Sequence, residues 1–169
     1  MEVLIPRPLV GKAWAGISGP LLGLVRKTTD GSAVNDFNAQ VINEFRANAG
    51  KVGGMFEGAP MVLITTTGAK SGRQVTSPLV YLPDGERIVL IASNGGADKH
   101  PAWYHNLRAN PEFTVELGTE SYTAKAEVVT GAERDELYAR MVEIMPGFGE
   151  YQAKTSRVIP VVAVYRQEA

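Results

Sequence analysis

The sequence predicts a small antiparallel β-barrel with a few helices packed on its outside, a mainly β fold with flanking helices. Short runs of apolar and β-branched residues recur from residue 61 onward and are joined by glycine-containing turns. Two stretches of helical periodicity interrupt the strands, whereas the regular alternation of strand and helix that builds a parallel sheet is missing. The chain has 169 residues, which suits one domain with a substantial core.

A helix is predicted over residues 36–49. Phe37, Val41 and Phe45 recur four residues apart, so they form one apolar stripe that faces the core. Gly50 tolerates the left-handed conformation that often follows a helix, and it therefore marks the end of this one. Residues 1–33 are assigned to an N-terminal arm, and residues 34–169 are assigned to the barrel domain.

Six strands are predicted after this helix, most of them joined by short turns. Asp84-Gly85 is a typical hairpin dipeptide, and Gly118 marks a second hairpin. Phe113 and Val115 alternate with polar residues, which predicts one buried and one exposed face. The predicted strands are residues 61–67, 74–82, 87–93, 113–117, 121–130 and 158–165.

Two further helices are predicted between these strands. Residues 98–110 form the first, with Pro101 in its opening turn. Thr130 and Glu133 match a capping box, in which each side chain accepts a hydrogen bond from a backbone N–H at the start of a helix. This helix is expected to reach about Met145. A Pro-Gly pair then ends it, and a short turn or helix follows.

Composition excludes several classes of function. The formal net charge is −1, so the chain lacks the basic surface of a typical nucleic-acid-binding protein. It has no cysteine, which excludes disulfides, thiolate catalysis and cysteine-ligated metals. Its two histidines do not have the paired spacing of a zinc site, and no metal is predicted. The sequence motifs of serine hydrolases and zinc peptidases are missing as well.

The N-terminal arm combines basic residues with an uncharged stretch, residues 13–25, that is too short to span a bilayer. Residues 1–27 contain four basic residues and one acidic residue, a net charge of +3. The arm could contact an anionic membrane surface peripherally. It could also pack on its own domain or on a second subunit, and this second interpretation is favoured. We therefore expect a cytoplasmic protein, peripheral to the inner face of the membrane if the arm binds lipid.

The loop between the first two predicted strands has the composition of an anion site. Gly68 and Gly72 allow a tight turn and bring backbone N–H groups close to a ligand. Lys70 and Arg73 supply positive charge, and Ser71 supplies a neutral donor, a combination that suits a phosphate or a carboxylate. The other interpretation is an ordinary hairpin loop with solvated cations.

Other candidate residues lie near a second glycine break, Asn94–Gly96. Trp103 and Tyr104 could stack on a flat ligand, or they could anchor their helix on the barrel. His100 is interpreted as a helix-start residue. Tyr151 could donate a proton or contact a substrate, or it could lie at the edge of the core. The hydroxyl-bearing residues on or beside the intervening strands are Thr76, Ser77 and Ser93.

Five motifs in a fixed order resemble the deazaflavin-dependent nitroreductase family, a group of actinobacterial flavin and deazaflavin oxidoreductases. The resemblance covers about residues 34–166. It implies a split β-barrel of the FMN-binding, pyridoxamine-phosphate-oxidase-like type, which often pairs into a homodimer. The motifs are residues 65–73, 78–81, 92–96, 100–107 and 109–111.

The resemblance also implies a cofactor and a reaction. The cofactor is coenzyme F-420, an 8-hydroxy-5-deazaflavin that carries a phosphate and an oligoglutamate tail. Family members transfer hydride from the reduced cofactor to small electron-poor acceptors, which include quinones, unsaturated lactones of the coumarin and aflatoxin type, and nitro-aromatic compounds. An FMN-dependent oxidoreductase on the same fold and a non-catalytic cofactor-binding protein remain alternatives.

By resemblance, the phosphate is bound by Lys70, Ser71 and Gly72, and Arg73 meets the phosphate or the tail. Relatives often carry a basic residue where this chain has Val75. The loss of that residue predicts one anionic contact fewer. The remaining cofactor-binding residues implied by the resemblance are Thr76, Ser77, Pro78, Leu79, Ala92, Ser93, Asn94, Ala102, Trp103, Tyr104 and Asn106.

The substrate side of the site departs from the family pattern. A tyrosine implicated in substrate contact and protonation in a relative aligns with Phe148, which has no hydroxyl. Phe148 and Tyr151 are therefore predicted to contact substrate, and Tyr151 or Ser93 is predicted to supply the proton. Solvent is the alternative donor. Among the implied activities, reduction of nitroimidazoles depends most on the missing hydroxyl.

Overall fold

Six antiparallel strands close into one barrel, in the order β1-β2-β3-β6-β5-β4. The computed structural model of the chain describes residues 32–167, with side chains from residue 36 onward, so nearly all of the predicted N-terminal arm lies outside the described residues. The barrel confirms the predicted fold class. The strands are β1 Met61–Thr67, β2 Gln74–Asp84, β3 Arg87–Ile91, β4 Glu112–Leu117, β5 Glu120–Val129 and β6 Val161–Arg166.

Four helices flank the barrel in the described part of the chain: α1 Ser32–Ala47, α2 Ala102–Ala109, α3 Gly131–Ile144 and α4 Gly147–Ala153. Within residues 32–167, none of these helices is both long and apolar enough to cross a membrane. The two predicted hairpins are present, since Asp84 pairs with Arg87 across one turn and Leu117 pairs with Glu120 across the other. The short segment after α3 is helical.

Several predicted boundaries were wrong, for local reasons. α1 begins four residues earlier than predicted and ends two residues earlier. α2 begins at Ala102 instead of residue 98, because Pro101 keeps His100 out of the helical region and is itself extended, with φ −68° and ψ 154°. β3 ends at Ile91, since Ser93 is already helical in conformation. β6 begins three residues later than predicted, after Pro160, which has no N–H to donate to a neighbouring strand.

The interior of the barrel is filled by alternate side chains of its strands. α2 closes this core, because Trp103, Tyr104 and Leu107 pack into the same cluster. Burying one such large apolar side chain contributes about 1.5–3 kcal/mol, so the cluster fixes α2 firmly against the strands. The fully buried strand residues of the cluster include Val62, Ile64, Leu90, Val115, Ala124, Val162 and Val164.

The outer faces of the strands pack against the other helices. On α1, Val41 and Phe45 of the predicted stripe are buried against Met61 and Leu63 of β1. α3 and α4 cover the outer faces of β3 and β6 in a third cluster, which is centred on Met141. The predicted helical periodicity therefore identified the buried face of α1.

The predicted capping box is not formed, although α3 starts at the expected place. Thr130 is the extended residue before the helix, but its side chain makes no capping hydrogen bond. Glu133 instead accepts a hydrogen bond from Arg87 at 3.1 Å. Arg87 also binds Asp84 at 2.7 Å, and Arg140 binds the same carboxylate at 2.7 Å. Glu133 therefore ties the helix to the β2–β3 hairpin rather than to its own backbone.

Candidate cofactor site

The loop between β1 and β2 is closed by its own backbone. Gly68 N–H donates to the carbonyl of Arg73 at 2.8 Å, and Gly72 N–H donates back to the carbonyl of Gly68 at 2.9 Å. Gly72 has φ +70°, a conformation that favours glycine. A Cβ on Gly68 would lie 2.4 Å from Oγ of Ser71, so a side chain at this position would displace the serine hydroxyl. These contacts hold residues 68–73 in one conformation.

Two cations of this loop are exposed to solvent. Lys70 and Arg73 make no ion pair and no side-chain hydrogen bond with any described residue, so their positive charges are available to an anionic ligand. Ser71 is exposed beside them, although its Oγ already accepts the N–H of Arg73 at 3.2 Å. Val75, which is 44% exposed, occupies the next stretch of β2 and offers no charge. The donor set fits a phosphate and neighbouring carboxylates.

Asn106 ties this loop to α2. Its Oδ1 accepts the backbone N–H of Ala69 at 2.9 Å, and its Nδ2 donates to Oγ1 of Thr66 at 3.1 Å. Asn106 is 7% exposed, and Thr66 is fully buried. Both polar groups of the amide are therefore engaged by the protein. Contact of Asn106 with the cofactor remains a prediction. Its hydrogen bond to the loop is observed.

The predicted cofactor-lining stretch of β2 does not present all of its side chains to one face. Leu79 packs against the barrel interior, and side chains alternate along a strand, so Ser77 shares the interior face. Thr76 and Pro78 share the outer face. On that face Oγ1 of Thr76 lies 2.8 Å from Oγ1 of Thr65. A ligand beside β2 would meet two of these four side chains, together with the backbone.

The turn after β3 holds three successive residues in the left-handed region. Asn94 has φ +47°, Gly95 +63° and Gly96 +80°. A Cβ on Gly96 would lie 2.8 Å from the carbonyl oxygen of Tyr151, so α4 presses directly on this turn. Ser93 precedes the turn and is nearly buried, and the change from right- to left-handed backbone gathers N–H groups into a concave arrangement.

The aromatic residues of α2 are anchors of the helix. Trp103 and Tyr104 are both buried in the interior cluster, with their ring centroids 6.5 Å apart at an interplanar angle of 81°. The Tyr104 hydroxyl accepts a hydrogen bond from Arg108 at 3.0 Å. Neither ring presents an open face for stacking on a ligand. Of the two interpretations, the one in which both residues anchor their helix on the barrel therefore fits their position. Ala102 is exposed at the start of the helix.

Phe148 and Tyr151 lie together on α4. Their ring centroids are 5.2 Å apart in an edge-to-face arrangement, and both residues are buried in the cluster that α3 and α4 share. Burial raises the pKa of Tyr151 to about 12, so its hydroxyl stays protonated at neutral pH. The structure brings Tyr151 next to the turn that follows Ser93, because Gly96 packs on the backbone of Tyr151.

Three surface clefts lined by described residues lie elsewhere on the molecule. Their volumes are about 580, 290 and 540 Å³, and none of the three is lined by residues 68–79. The 290 Å³ cleft includes Tyr104 of α2. The cations of the 68–73 loop therefore lie outside all three of these clefts.

A closed antiparallel barrel with a rigid cationic loop at one end of β2 and a left-handed turn after β3 has the features of a deazaflavin-binding oxidoreductase. Residues 38–166 match the model of the F420H(2)-dependent quinone reductase family. The chain belongs to this family, as the resemblance of its motifs implied. The match begins inside α1 and ends at the last residue of β6, so it covers the whole barrel.

Relatives of known structure or name agree with this family. An F420H(2)-dependent quinone reductase of Mycobacterium tuberculosis is 37% identical over 129 residues, which cover 73% of this chain and 85% of the relative. The solved structure of an F420-H2 dependent reductase is 42% identical, with a TM-score of 0.58 over 62% of this chain and 93% of the other. Another solved relative, described as a domain-swapped dimer, is 34% identical, with a TM-score of 0.59 over 79% of this chain and 98% of the other.

Family membership confirms the predicted enzyme class and cofactor. The chain is an oxidoreductase whose family uses coenzyme F-420. The roles of single residues stay predictions. Sequence reasoning missed Arg157, which hydrogen-bonds the turn after β3, because it lies in a short polar segment that resembles a solvated loop.

Acid should destabilise the protein through His100. Burial lowers the pKa of this imidazole below its ordinary value of 6.5, and Arg157, His105 and Arg108 lower it further. The ring also packs 4.8 Å from that of Tyr104. Below about pH 6.5 the imidazole binds a proton in the unfolded chain but not yet in the folded chain. The free energy of unfolding therefore decreases as the pH falls, until the pH is below the pKa of His100 in the folded state. Urea unfolding at several values between about pH 7.5 and 5 measures this fall.

The control is His100→Gln, which should flatten the curve in this window. Asp84 acts in the same direction at lower pH, because hydrogen bonds from Arg140 and Arg87 hold its carboxyl pKa below the ordinary 3.8. Its contribution to stability is lost only as the pH falls towards that lowered pKa. Stability that stays constant between about pH 7 and 5 in the wild type would contradict the assignment to His100.

Proposed function

We propose that this protein reduces a quinone-type acceptor with coenzyme F-420 as its hydride source. The observation that carries the proposal is the pair of exposed cations, Lys70 and Arg73, on a loop whose backbone is fixed by its own hydrogen bonds. A phosphate and an oligoglutamate tail are both anionic, so the loop is complementary to the part of the cofactor that takes no part in the chemistry. When bound, the reduced cofactor supplies the hydride.

The protein's own contribution is binding, orientation and protonation. A charge-assisted hydrogen bond from Lys70 or Arg73 to an anion contributes about 1.5–3 kcal/mol, which is enough to set the affinity for the cofactor. Reduction of a quinone to a quinol adds one hydride and one proton, so a proton must come from a side chain or from water. Val75 supplies no third cation, and we expect tighter binding if it is replaced by arginine.

The direct test is turnover. Purified protein, reduced F-420 and a soluble naphthoquinone should regenerate the absorbance of the oxidised cofactor, and F-420 should bind more tightly than FMN when the two are titrated side by side. A panel of coumarins and nitro-aromatic compounds tests the wider acceptor range. Tight binding of F-420 without hydride transfer to any acceptor would contradict the proposal and would support a carrier.

Quinones are favoured over nitro-aromatic acceptors because of α4. Phe148 and Tyr151 are both buried, so they contribute an apolar environment rather than an open stacking face, and Phe148 has no hydroxyl to protonate a reduced nitro group. An apolar environment suits a largely apolar quinone better than a polar nitro group. We therefore expect a quinone to be reduced with a higher kcat/KM than a nitroimidazole of similar size.

Tyr151 and Ser93 are the proposed proton donors. Tyr151→Phe is expected to lower kcat roughly 10- to 100-fold, because the proton must then come from water. The dissociation constant for F-420 should change little, since Tyr151 lies on α4 and not in the 68–73 loop that carries Lys70 and Arg73. Steady-state kinetics and a cofactor titration measure the two effects.

Ser93→Ala separates the second donor from the first. If Ser93 lies beside the cofactor ring, this variant raises the dissociation constant for F-420 as well as lowering kcat. Unchanged kcat in both variants would exclude both side chains and assign the proton to solvent.

We also propose that the protein forms a homodimer and that it is cytoplasmic. The proposed dimer is supported by the solved relative described as a domain-swapped dimer. Light scattering on the purified full chain tests it.

The division into an arm, residues 1–33, and a barrel, residues 34–169, remains a proposal, and so does peripheral membrane contact by the arm. Sedimentation with anionic vesicles, with and without residues 1–27, tests this contact. Binding that persists after the deletion would exclude the arm as its cause.

A further inference from the structure

One arginine holds the whole segment between β3 and α2. The guanidinium of Arg157 donates to the carbonyls of Ser93 at 2.7 Å, Ala97 at 2.7 Å and Ala92 at 3.3 Å. A fourth contact joins its Nη1 to Nδ1 of His100 at 2.9 Å. The four partners span the left-handed turn and the extended residues before α2, although Arg157 itself lies more than fifty residues further along the chain.

We infer that Arg157 is a positioning residue of the reductase site, which acts by holding the turn after Ser93 and the start of α2 in place. This inference rests on the proposed function, because it assigns the turn to the cofactor site. The turn contains three successive left-handed residues, a conformation that a free loop would not keep. Arg157 supplies the external contacts that maintain it.

Only an arginine can make this set of contacts. Its planar fork offers five N–H donors in fixed directions, whereas the single ammonium group of lysine cannot reach carbonyls on three sides at once. Partial burial lowers the pKa of Arg157, and the charge of Asp98 opposes this shift without forming an ion pair. The direct hydrogen-bond partners of the guanidinium are the three backbone carbonyls and His100, so its donors are committed to this segment.

Arg157 is itself held by α3 and α4. Its carbonyl accepts a hydrogen bond from Nε2 of Gln152 at 2.7 Å, and Oε1 of Gln152 accepts one from Arg134 of α3 at 2.7 Å. Its N–H donates to Oγ1 of Thr155 at 3.2 Å, and that hydroxyl donates to Asp98 at 2.9 Å. These contacts connect the turn after β3 to α4, so the two should move together.

The contact with His100 sets the tautomer of its ring. Arg157 can only donate, so Nδ1 of His100 must accept, and the proton of the neutral imidazole is then on Nε2. His100 packs against Tyr104, which anchors α2 in the barrel. Arg157 therefore acts on both sides of the turn, through the backbone after β3 and through the first turn of α2.

The experiment compares Arg157→Ala and Arg157→Lys with Arg87→Ala. Arg87 is a matched control, because it too is partly buried and makes several hydrogen bonds, but it lies on the hairpin at the other end of β3. Both Arg157 variants should raise the dissociation constant for F-420 and lower kcat/KM roughly 10- to 100-fold, as displacements of about 1 Å in a positioning group do. The Arg87 variant should lose stability without these losses.

Chemical rescue separates positioning from simple loss of stability. Guanidinium at millimolar concentration should restore part of the kcat/KM of Arg157→Ala, and it should not raise that of the wild type or of Arg87→Ala. Imidazole ¹⁵N spectra give a readout that needs no cofactor. The chain has two histidines, so the signals of His100 and His105 are easily assigned with a His105→Gln variant. His100 should carry its proton on Nε2 in the wild type and should become a mixture of tautomers in Arg157→Lys.

The outcomes are distinguishable. Wild-type kinetics, cofactor affinity and His100 tautomer in folded Arg157→Lys would overturn the inference and leave the proposed function intact. Losses equal to those of Arg87→Ala, with no rescue by guanidinium, would also overturn it, because Arg157 would then act only on stability. If Arg157→Ala does not fold, Arg157→Lys and the spectra decide. A wild-type protein that neither binds F-420 nor reduces a quinone with it overturns the proposed function, and the inference with it.

Discussion

Replacing Lys70 with alanine is expected to raise the dissociation constant for F-420 roughly 10- to 100-fold, the effect of losing a charge-assisted hydrogen bond of about 1.5–3 kcal/mol. Lys70 is exposed and makes no ion pair with a described residue, so its charge is free for the ligand and its removal should not change the stability of the fold. Arg73→Ala should have a similar effect. Fluorescence titration of the oxidised cofactor gives both values.

Lys51→Ala is the matched control. Lys51 is an exposed lysine next to Gly50, which packs on Gly118 at the opposite end of β1 from the loop, and its removal changes the net charge by the same amount. It should leave the affinity within about twofold, since charges separated by more than about 10 Å are screened at ordinary salt. Raising the salt concentration should weaken binding in the wild type more than in Lys70→Ala. Unchanged affinity in Lys70→Ala would make residues 68–73 a plain hairpin loop.

The strands could be predicted because each carries its signal within a few residues. β1 was predicted with its observed bounds, since Gly68 breaks the backbone after it and an apolar run defines it. The hairpin across Gly118 was predicted because Phe113 and Val115 alternate with polar residues, and both are buried as expected. Local alternation of this kind reports which face is buried, and a closed antiparallel barrel follows once six such strands have short connections.

What joins the parts of the site could not be predicted, because the contacts are distant in sequence. Asn106 meets the N–H of Ala69 across 37 positions, and Arg157 meets the carbonyl of Ser93 across 64. Neither contact leaves a periodic or local signal. The failure of the capping box has the same cause, since Glu133 is drawn away by Arg87 from another element. The residue types in the sequence predict which side chains could bind a ligand. Contacts between distant elements determine which of these side chains remain free to bind one.

Asn106→Leu is expected to lower the free energy of unfolding by about 2–3 kcal/mol and to weaken binding of F-420 as well. The change leaves the hydroxyl of Thr66 fully buried without its partner, which costs more than the hydrogen bond contributed. It also releases the N–H of Ala69, so the loop that carries Lys70 loses its tether to α2. Urea unfolding and cofactor titration measure the two effects separately.

The double variant Thr66→Val, Asn106→Leu distinguishes these two roles. Replacing both buried partners by apolar groups removes the unsatisfied hydroxyl, so most of the lost stability should return. The N–H of Ala69 still has no partner from α2 in the double variant, and it is exposed enough to bind water instead. The affinity for F-420 should therefore stay low while the stability recovers, with Thr66→Val alone as the control. If the affinity recovered together with the stability, Asn106 would act on the cofactor only through the stability of the fold, and the tether to Ala69 would have no part in binding.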